Sequence, residues 1–167
     1  EETALELWQQ VGSFAAFSYC KAHAVTYGYL AYEELYLKSR FPAAFLCSVL
    51  NNDRGYYPDR VYLEEARRSG VPFLLPDVNR SGAAFAPEGD AIRIGLARIR
   101  GLHQRTLERL LEERKRRGPF LALSDFLERV RPHADEARQL VAAGALDGFD
   151  RPRPELLWRL DLARRTV

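Results

Sequence analysis

Apolar residues recur along most of this chain with helical spacing. Between Thr3 and Phe17, Leu5, Trp8, Val11 and Ala15 stand among Glu and Gln, the pattern of an amphipathic helix. Thr3 with Glu6 three residues later reads as its capping box. Polar Ser18-Tyr19-Cys20-Lys21 interrupts the pattern, and a second helix is predicted from about Ala22 to Ser39. Arg40-Phe41-Pro42 ends it, and Pro42 suits the first position of a third helix through about Leu50. Residues 51–55 read as loop. Pro58 opens a fourth helix in the same way, with Val61, Leu63 and Ala66 inward and Gly70 at its close.

The period then changes. Val71 to Leu75 is a short apolar run interrupted by Pro72, an edge strand at best. Residues 76–81 form a turn. Ala83–Ala86 and Ala91–Ile94, around Pro87-Glu88-Gly89-Asp90, predict a β-hairpin. Helical spacing returns from Leu96. Gln104 to Arg117 is a strongly charged helix with Leu107, Leu110 and Leu111 as its apolar stripe. Gly118-Pro119 breaks it, Ser124 reads as the cap of a helix to about Val130, and Asp135 to Ala143 is another, stopped by Gly144. A last helix runs from Pro154 to Arg165. The expected fold is mainly α with a small antiparallel β element. Its expected pieces are a helical lobe over 1–75, a β-hairpin connector over 76–94 and a helical domain over 95–167.

The segment Ile99-Arg100-Gly101-Leu102-His103 has the grammar of a helix-hairpin-helix. A short helix stops at a glycine, Leu102 plugs inward, and the next helix starts with free N–H groups turned to a DNA phosphate. Contact of this kind positions DNA without reading sequence. The usual pattern is Gly-apolar-Gly. His103 replaces the second glycine, and its side chain either limits backbone approach or itself touches phosphate. Gly144 to Asp150, followed by a helix, reads as a second hairpin.

Composition adds one asymmetry. Of 167 residues, 47% are apolar, enough for a core, and the net charge is only +2. Residues 1–90 carry 8 basic and 12 acidic groups, whereas 91–167 carry 17 basic and 11 acidic. Sixteen of those seventeen are Arg, which forks onto phosphate. The second half thus points to an anionic partner, with Arg98, Arg100 and Arg105 flanking the turn. The alternative is a solvated helix on which Glu108, Glu112 and Glu113 neutralise them. No apolar run approaches membrane-spanning length and no charged-then-apolar leader opens the chain, so a soluble, cytoplasmic protein is expected. Cys20 and Cys47 make no disulfide framework. Cys20 and His23 are spaced like half a zinc site without a second half, and Cys47 sits in an apolar run that predicts burial.

The stretch from Phe17 to Tyr36 carries the sharpest chemistry. At about 100° per residue, His23, Tyr27, Leu30 and Glu34 share a helical face. Lys21 stands at the helix mouth, where its charge and the first N–H groups suit an anion. His23 can donate to a phosphate oxygen, and Tyr27 can lie against a sugar or base. Taken alone, such residues are more often a solvated charge and a packed aromatic face. Tyr29, Tyr32 and Tyr36 are expected in the core.

The run Cys20-Lys21-Ala22-His23-Ala24, with Tyr27 and then Tyr36-Leu37-Lys38-Ser39-Arg40-Phe41-Pro42-Ala43-Ala44-Phe45-Leu46, resembles the fingers of the C-family polymerases, the bacterial DNA polymerase III alpha subunits. In that family a Lys-Ser/Ala-His-Ala motif opens a fingers helix. Downstream, Pro76-Asp77-Val78-Asn79-Arg80-Ser81, the hairpin, Ile92-Arg93-Ile94-Gly95-Leu96 and Leu140–Asp147 follow the family's order into its tandem helix-hairpin-helix. The resemblance covers about Ala4 to Leu160. It implies template-directed DNA synthesis, with Lys21, His23 and Tyr27 contacting the incoming dNTP and Arg98, Arg100, Gly101, Leu102, His103 and Arg105 holding duplex DNA.

In the family, Mg²⁺ is held by palm carboxylates upstream of the fingers. No Asp-x-Asp pair occurs here, and Asp53, Asp59, Asp77 and Asp90 read as caps and turns. The chain alone is therefore expected to be catalytically silent and to bind little dNTP. It is expected to hold no cofactor or metal, and to meet a sliding clamp only through other regions. A free-standing helix-hairpin-helix DNA-binding or repair module is the main alternative, and a helical scaffold that ignores nucleic acid is a third.

Overall fold

Proline and glycine set the helix limits where the sequence places them. The computed structural model describes residues 2–18, 20–52 and 56–165, with backbone alone for 2, 13–18 and 163–165. Tyr19 of the first polar turn, residues 53–55 of the predicted loop and the side chain of Ala15 lie outside the described residues. Helices α1 (Glu2–Ser18), α2 (Lys21–Arg40), α3 (Pro42–Asn52) and α4 (Asp59–Arg68) form the first half. Thr3 lies inside α1 and does not cap it, and Asn51 and Asn52 extend α3. Pro58 is the extended N-cap of α4. Gly70, at φ +73°, closes α4: the Val71 N–H donates to the Ala66 carbonyl and the Gly70 N–H to that of Arg67.

Strands β1 (Phe73–Leu74), β2 (Ala86–Glu88) and β3 (Ala91–Arg93) form one sheet in the order β1-β3-β2. The pair β2–β3 is the predicted antiparallel hairpin, and its turn is only Gly89-Asp90, with Glu88 opposite Ala91. Pro87 lies in the strand, tolerated because β2 is an edge. The expected antiparallel element is this hairpin, and β1 adds a parallel pairing to β3, with Phe73 opposite Ile92, which makes the sheet mixed. A two-residue strand carries no sequence signal for its direction. A 3₁₀ turn, Leu96–Arg98, leads to α5 (Gln104–Arg117), α6 (Leu123–Val130), α7 (Ala134–Ala142) and α8 (Arg153–Arg165). Ala122 holds the N-cap position of α6, where Ser124 was expected.

The chain divides into two compact units, 1–40 and 41–167. The second unit holds two cores. Leu46, Cys47, Leu50, Ala66, Val71 and Ile92 join α3 and α4 to the sheet. Leu96, Leu110, Phe126, Val130, Leu140, Leu146 and Leu156 fill the helical region beyond it. Val78 belongs to this second core, and its N–H donates to the Ala145 carbonyl. The stretch 76–94 therefore has a residue in each core. Burial pushes the Cys47 thiol up from its ordinary pKa.

In the first unit, by contrast, α2 buries nothing. Tyr29, Tyr32 and Tyr36 are 63, 68 and 52% exposed, which corrects the expectation that they are core. Spacing defines an apolar stripe, and a unit of two helices has no third element to cover it.

Candidate nucleic-acid interface

The turn before α5 is built from the inside out. Ile99 is buried, and the half-buried Leu102 packs against the same core, as its role of plug requires. The Leu102 N–H donates to the Ile99 carbonyl. Between them Gly101 adopts φ +83°, where a side chain is strained, and lies exposed. His103 sits at φ −75°, ψ 147°, ordinary extended backbone, so this position needs no glycine. Its carbonyl accepts from the N–H groups of Thr106 and Leu107. The N–H groups of Gln104 and Arg105 have no intrahelical acceptor.

A buried carboxylate fixes this turn. Glu136, on α7, is only 2% exposed. Its Oε1 accepts from the His103 backbone N–H and faces the His103 Nδ1, both at 2.9 Å. Its Oε2 accepts from the Thr106 hydroxyl at 3.0 Å and the His133 N–H at 2.7 Å. Burial pushes the Glu136 carboxyl up, but the hydrogen bonds from His103, His133 and Thr106 outweigh it and hold it below the ordinary range.

The same carboxylate holds a second turn, Arg131–His133, which opens α7. Arg131 is left-handed at φ 48° and its N–H donates to the Leu127 carbonyl. His133 and Glu136 form a reciprocal capping box. Two helix–turn–helix units, ending in α5 and α7, thus meet on one side chain. Sequence reasoning missed this second turn because a non-glycine residue makes the left-handed bend. Glu136 three residues after His133 was the available signal.

The predicted turn at 144–150 is present, between α7 and α8. Gly144, at φ +82°, stops α7 through donation from Ala145 N–H to the Leu140 carbonyl and from Gly144 N–H to that of Val141. A 3₁₀ turn, Asp147–Phe149, follows, and α8 begins only at Arg153. The Arg153 guanidinium grips both Asp147 oxygens, with Nε 2.9 Å from Oδ1 and Nη2 2.6 Å from Oδ2.

Most of the arginine excess serves the interior. Arg129 donates to the Glu113 and Gly118 carbonyls and lies over the Phe120 ring at 4.3 Å. Arg114 donates to the carbonyls of Val78 and Ser81 at 2.7 and 2.8 Å, and burial pulls its pKa down. Arg93 donates to the Leu75 carbonyl and pairs with Glu88. Arg98, expected on DNA, donates to the Leu50 carbonyl at 2.8 Å and reaches Asp59 at 3.3 Å. It joins the two cores. The alternative in which the glutamates of α5 neutralise the turn is not favoured by the side-chain pairing: Glu108 accepts from Gln104, and Glu113 pairs with Arg116, Arg117 and Arg129. Among the described residues no ion pair engages the exposed Arg100 or Arg105.

In the first unit, Lys21 is the first residue of α2. The His23 and Tyr27 rings lie one turn on, with centroids 4.4 Å apart and planes tilted 58°. All three side chains are exposed. Among the described residues no cluster of three or more His, Cys, Asp or Glu is placed to hold a metal, and no helix is long and apolar enough to cross a membrane.

A family model described as a helix-hairpin-helix motif matches residues 70–156. The chain is 38% identical to DNA polymerase III subunit alpha of Thermus aquaticus, over 99% of this chain and 14% of that protein. It is 35% identical to the same subunit of Aquifex aeolicus, over 94% and 14%. It is 32% identical to an error-prone DNA polymerase of Bdellovibrio bacteriovorus, over 96% and 16%. The chain thus spans about 14–16% of the length of the curated relatives it matches. With the motif match running from the close of α4 into α8 and enclosing both turns, the chain belongs to the helix-hairpin-helix family, and along nearly its whole length it is homologous to one segment of the DNA polymerase III alpha subunits.

Proposed function

We propose that this chain holds duplex DNA by its phosphate backbone within a template-directed DNA polymerase of the polymerase III alpha kind. The observation that carries the reading is the α5 start. A left-handed glycine turn, rigidly held by Glu136, leaves the N–H groups of Gln104 and Arg105 open between two exposed arginines, Arg100 and Arg105. Helix N–H groups and guanidinium forks together suit a phosphate. Arg98 is withdrawn from this surface, because its guanidinium joins α3 and α4. In the whole polymerase, Lys21 and His23 are proposed to contact the phosphates of the incoming dNTP and Tyr27 its sugar or base. The pairing of the His23 and Tyr27 rings on one face supports this part.

The test is titration of a labelled duplex with the 167-residue chain across a salt series. Two or three phosphates engaged give a log–log slope of roughly −2 to −3 and affinity on the order of 10⁻⁴–10⁻⁶ M, indifferent to sequence. The double substitution Arg100→Ala/Arg105→Ala should weaken binding and flatten the slope by about 2. Wild-type affinity in the double variant would sink the reading.

A further inference from the structure

The pairing of His103 with a buried carboxylate has a consequence for how the turn meets phosphate. Glu136 is ionised and can only accept, so the His103 Nδ1, 2.9 Å from its Oε1, carries the hydrogen. The neutral ring is therefore locked as the Nδ1–H tautomer. Its Nε2 then presents a lone pair, and a phosphate oxygen is also an acceptor. The neutral imidazole has nothing to donate to DNA. The ring is open to solvent, with its side chain 76% exposed, so Nε2 is accessible to a proton and to a ligand.

We propose that His103 contacts a DNA backbone phosphate only as the imidazolium, so that duplex binding by this turn takes up one proton from solvent at Nε2. The inference rests on the reading that the turn holds phosphate. The bound imidazolium lies between two acceptors, the Glu136 carboxylate on Nδ1 and the phosphate on Nε2. The Nε2–H then makes a charge-assisted bond.

The other charged groups near the turn do not duplicate this switch. Arg100 and Arg105, on either side along the chain, stay charged throughout. Thr106 of α5 shares Glu136 but does not titrate. On the second turn, the His133 ring is 3.7 Å from the Asp135 carboxylate. Further along α7, Arg138 pairs with Asp161 of α8.

The experiment measures duplex affinity of the 167-residue chain at pH 6, 7 and 8, at fixed ionic strength, for wild type and His103→Gln. Glutamine keeps an N–H donor at the position and cannot titrate. Wild type should bind at least severalfold tighter at pH 6 than at pH 8, within the roughly hundredfold that uptake of one proton allows over two pH units. His103→Gln, which retains His133, should bind equally at all three. A salt-dependent wild type with no pH dependence, or a His103→Gln profile that follows wild type, overturns the proton uptake and leaves the phosphate reading standing. Absence of salt-dependent binding at every pH overturns both.

Discussion

In residues 41–167, Leu110, Phe126 and Leu140 are wholly enclosed and even an arginine and a glutamate are interior; in residues 1–40, Trp8 is 76% exposed and Tyr32 68%. The contrast extends to the two helix starts proposed to face phosphates. At α5 a buried carboxylate fixes the backbone of the turn through two amides, a hydroxyl and an imidazole. At α2, Lys21, His23 and Tyr27 are exposed, and His23 and Tyr27 touch one another. The first arrangement is preorganised by its own unit, and so can hold a ligand without ordering itself first. The second is a display of side chains on a plain helix. On the proposed reading, duplex holding would fall to the second unit by itself, whereas nucleotide contact would need the rest of a polymerase around α2.

The largest expected effect is at Arg129, the strut of the second unit. Arg129→Ala leaves the carbonyls of Glu113 and Gly118 without their guanidinium donor and takes the buried cation away from the carboxylates of Glu113 and Asp125. It should cost about 3–5 kcal/mol, read as a fall in the urea midpoint. A loss below about 1 kcal/mol would mean that the interior guanidinium is ornamental and the contrast between units overstated.

Glu136 comes next. Glu136→Ala should cost roughly 2–4 kcal/mol, since several buried donors lose one acceptor. Its folded carboxyl lies below the ordinary range, so its contribution is fully present above the pKa of an unfolded glutamate. It is lost as pH falls through the lower folded value. Glu136→Gln should therefore flatten the acid limb of stability, and an unchanged limb in acid titrations by circular dichroism would refute that assignment.

Gly101→Ala should be milder, about 1 kcal/mol. The added Cβ would sit 3.5 Å from the Gln139 Cγ, ordinary contact, so the cost is the left-handed backbone alone. Duplex affinity should fall with it. Gly95→Ala is the control for close approach, because there a Cβ would run into the backbone of Ala83 and Ala84. It should destabilise more than Gly101→Ala without acting on the turn proposed to hold phosphate.

The smallest effects belong to the first unit. Lys21→Ala and Tyr32→Ala should each change the stability of the 167-residue chain by less than about 0.5 kcal/mol, as substitutions at exposed positions do. In a complete polymerase, Lys21→Ala should nonetheless raise the KM for dNTP, or lower kcat if the contact tightens in the transition state. Unaltered kinetics for both Lys21→Ala and His23→Ala would remove the nucleotide reading.

Local chemistry made much of this protein legible in its sequence. Pro42, Pro58, Gly70, Gly118 and Gly144 mark helix limits because ring closure and left-handed φ act on the backbone within a few residues. Gly101 and Leu102 revealed the first turn for the same reason, and the ordered motifs revealed the polymerase segment. Tertiary structure decided the rest. The direction of β1, the second turn at Arg131, and the meeting of both turns on Glu136 join residues up to 33 positions apart. The net charge of the second half suggested a basic surface, yet packing turned most arginines onto carbonyls and local acids, and among the described residues Arg100 and Arg105 stay exposed without an ion pair. Sequence fixes how many guanidinium groups there are. Which of them is spent on the interior depends on which carbonyls the fold leaves without an N–H, and that is known only once the helices have packed.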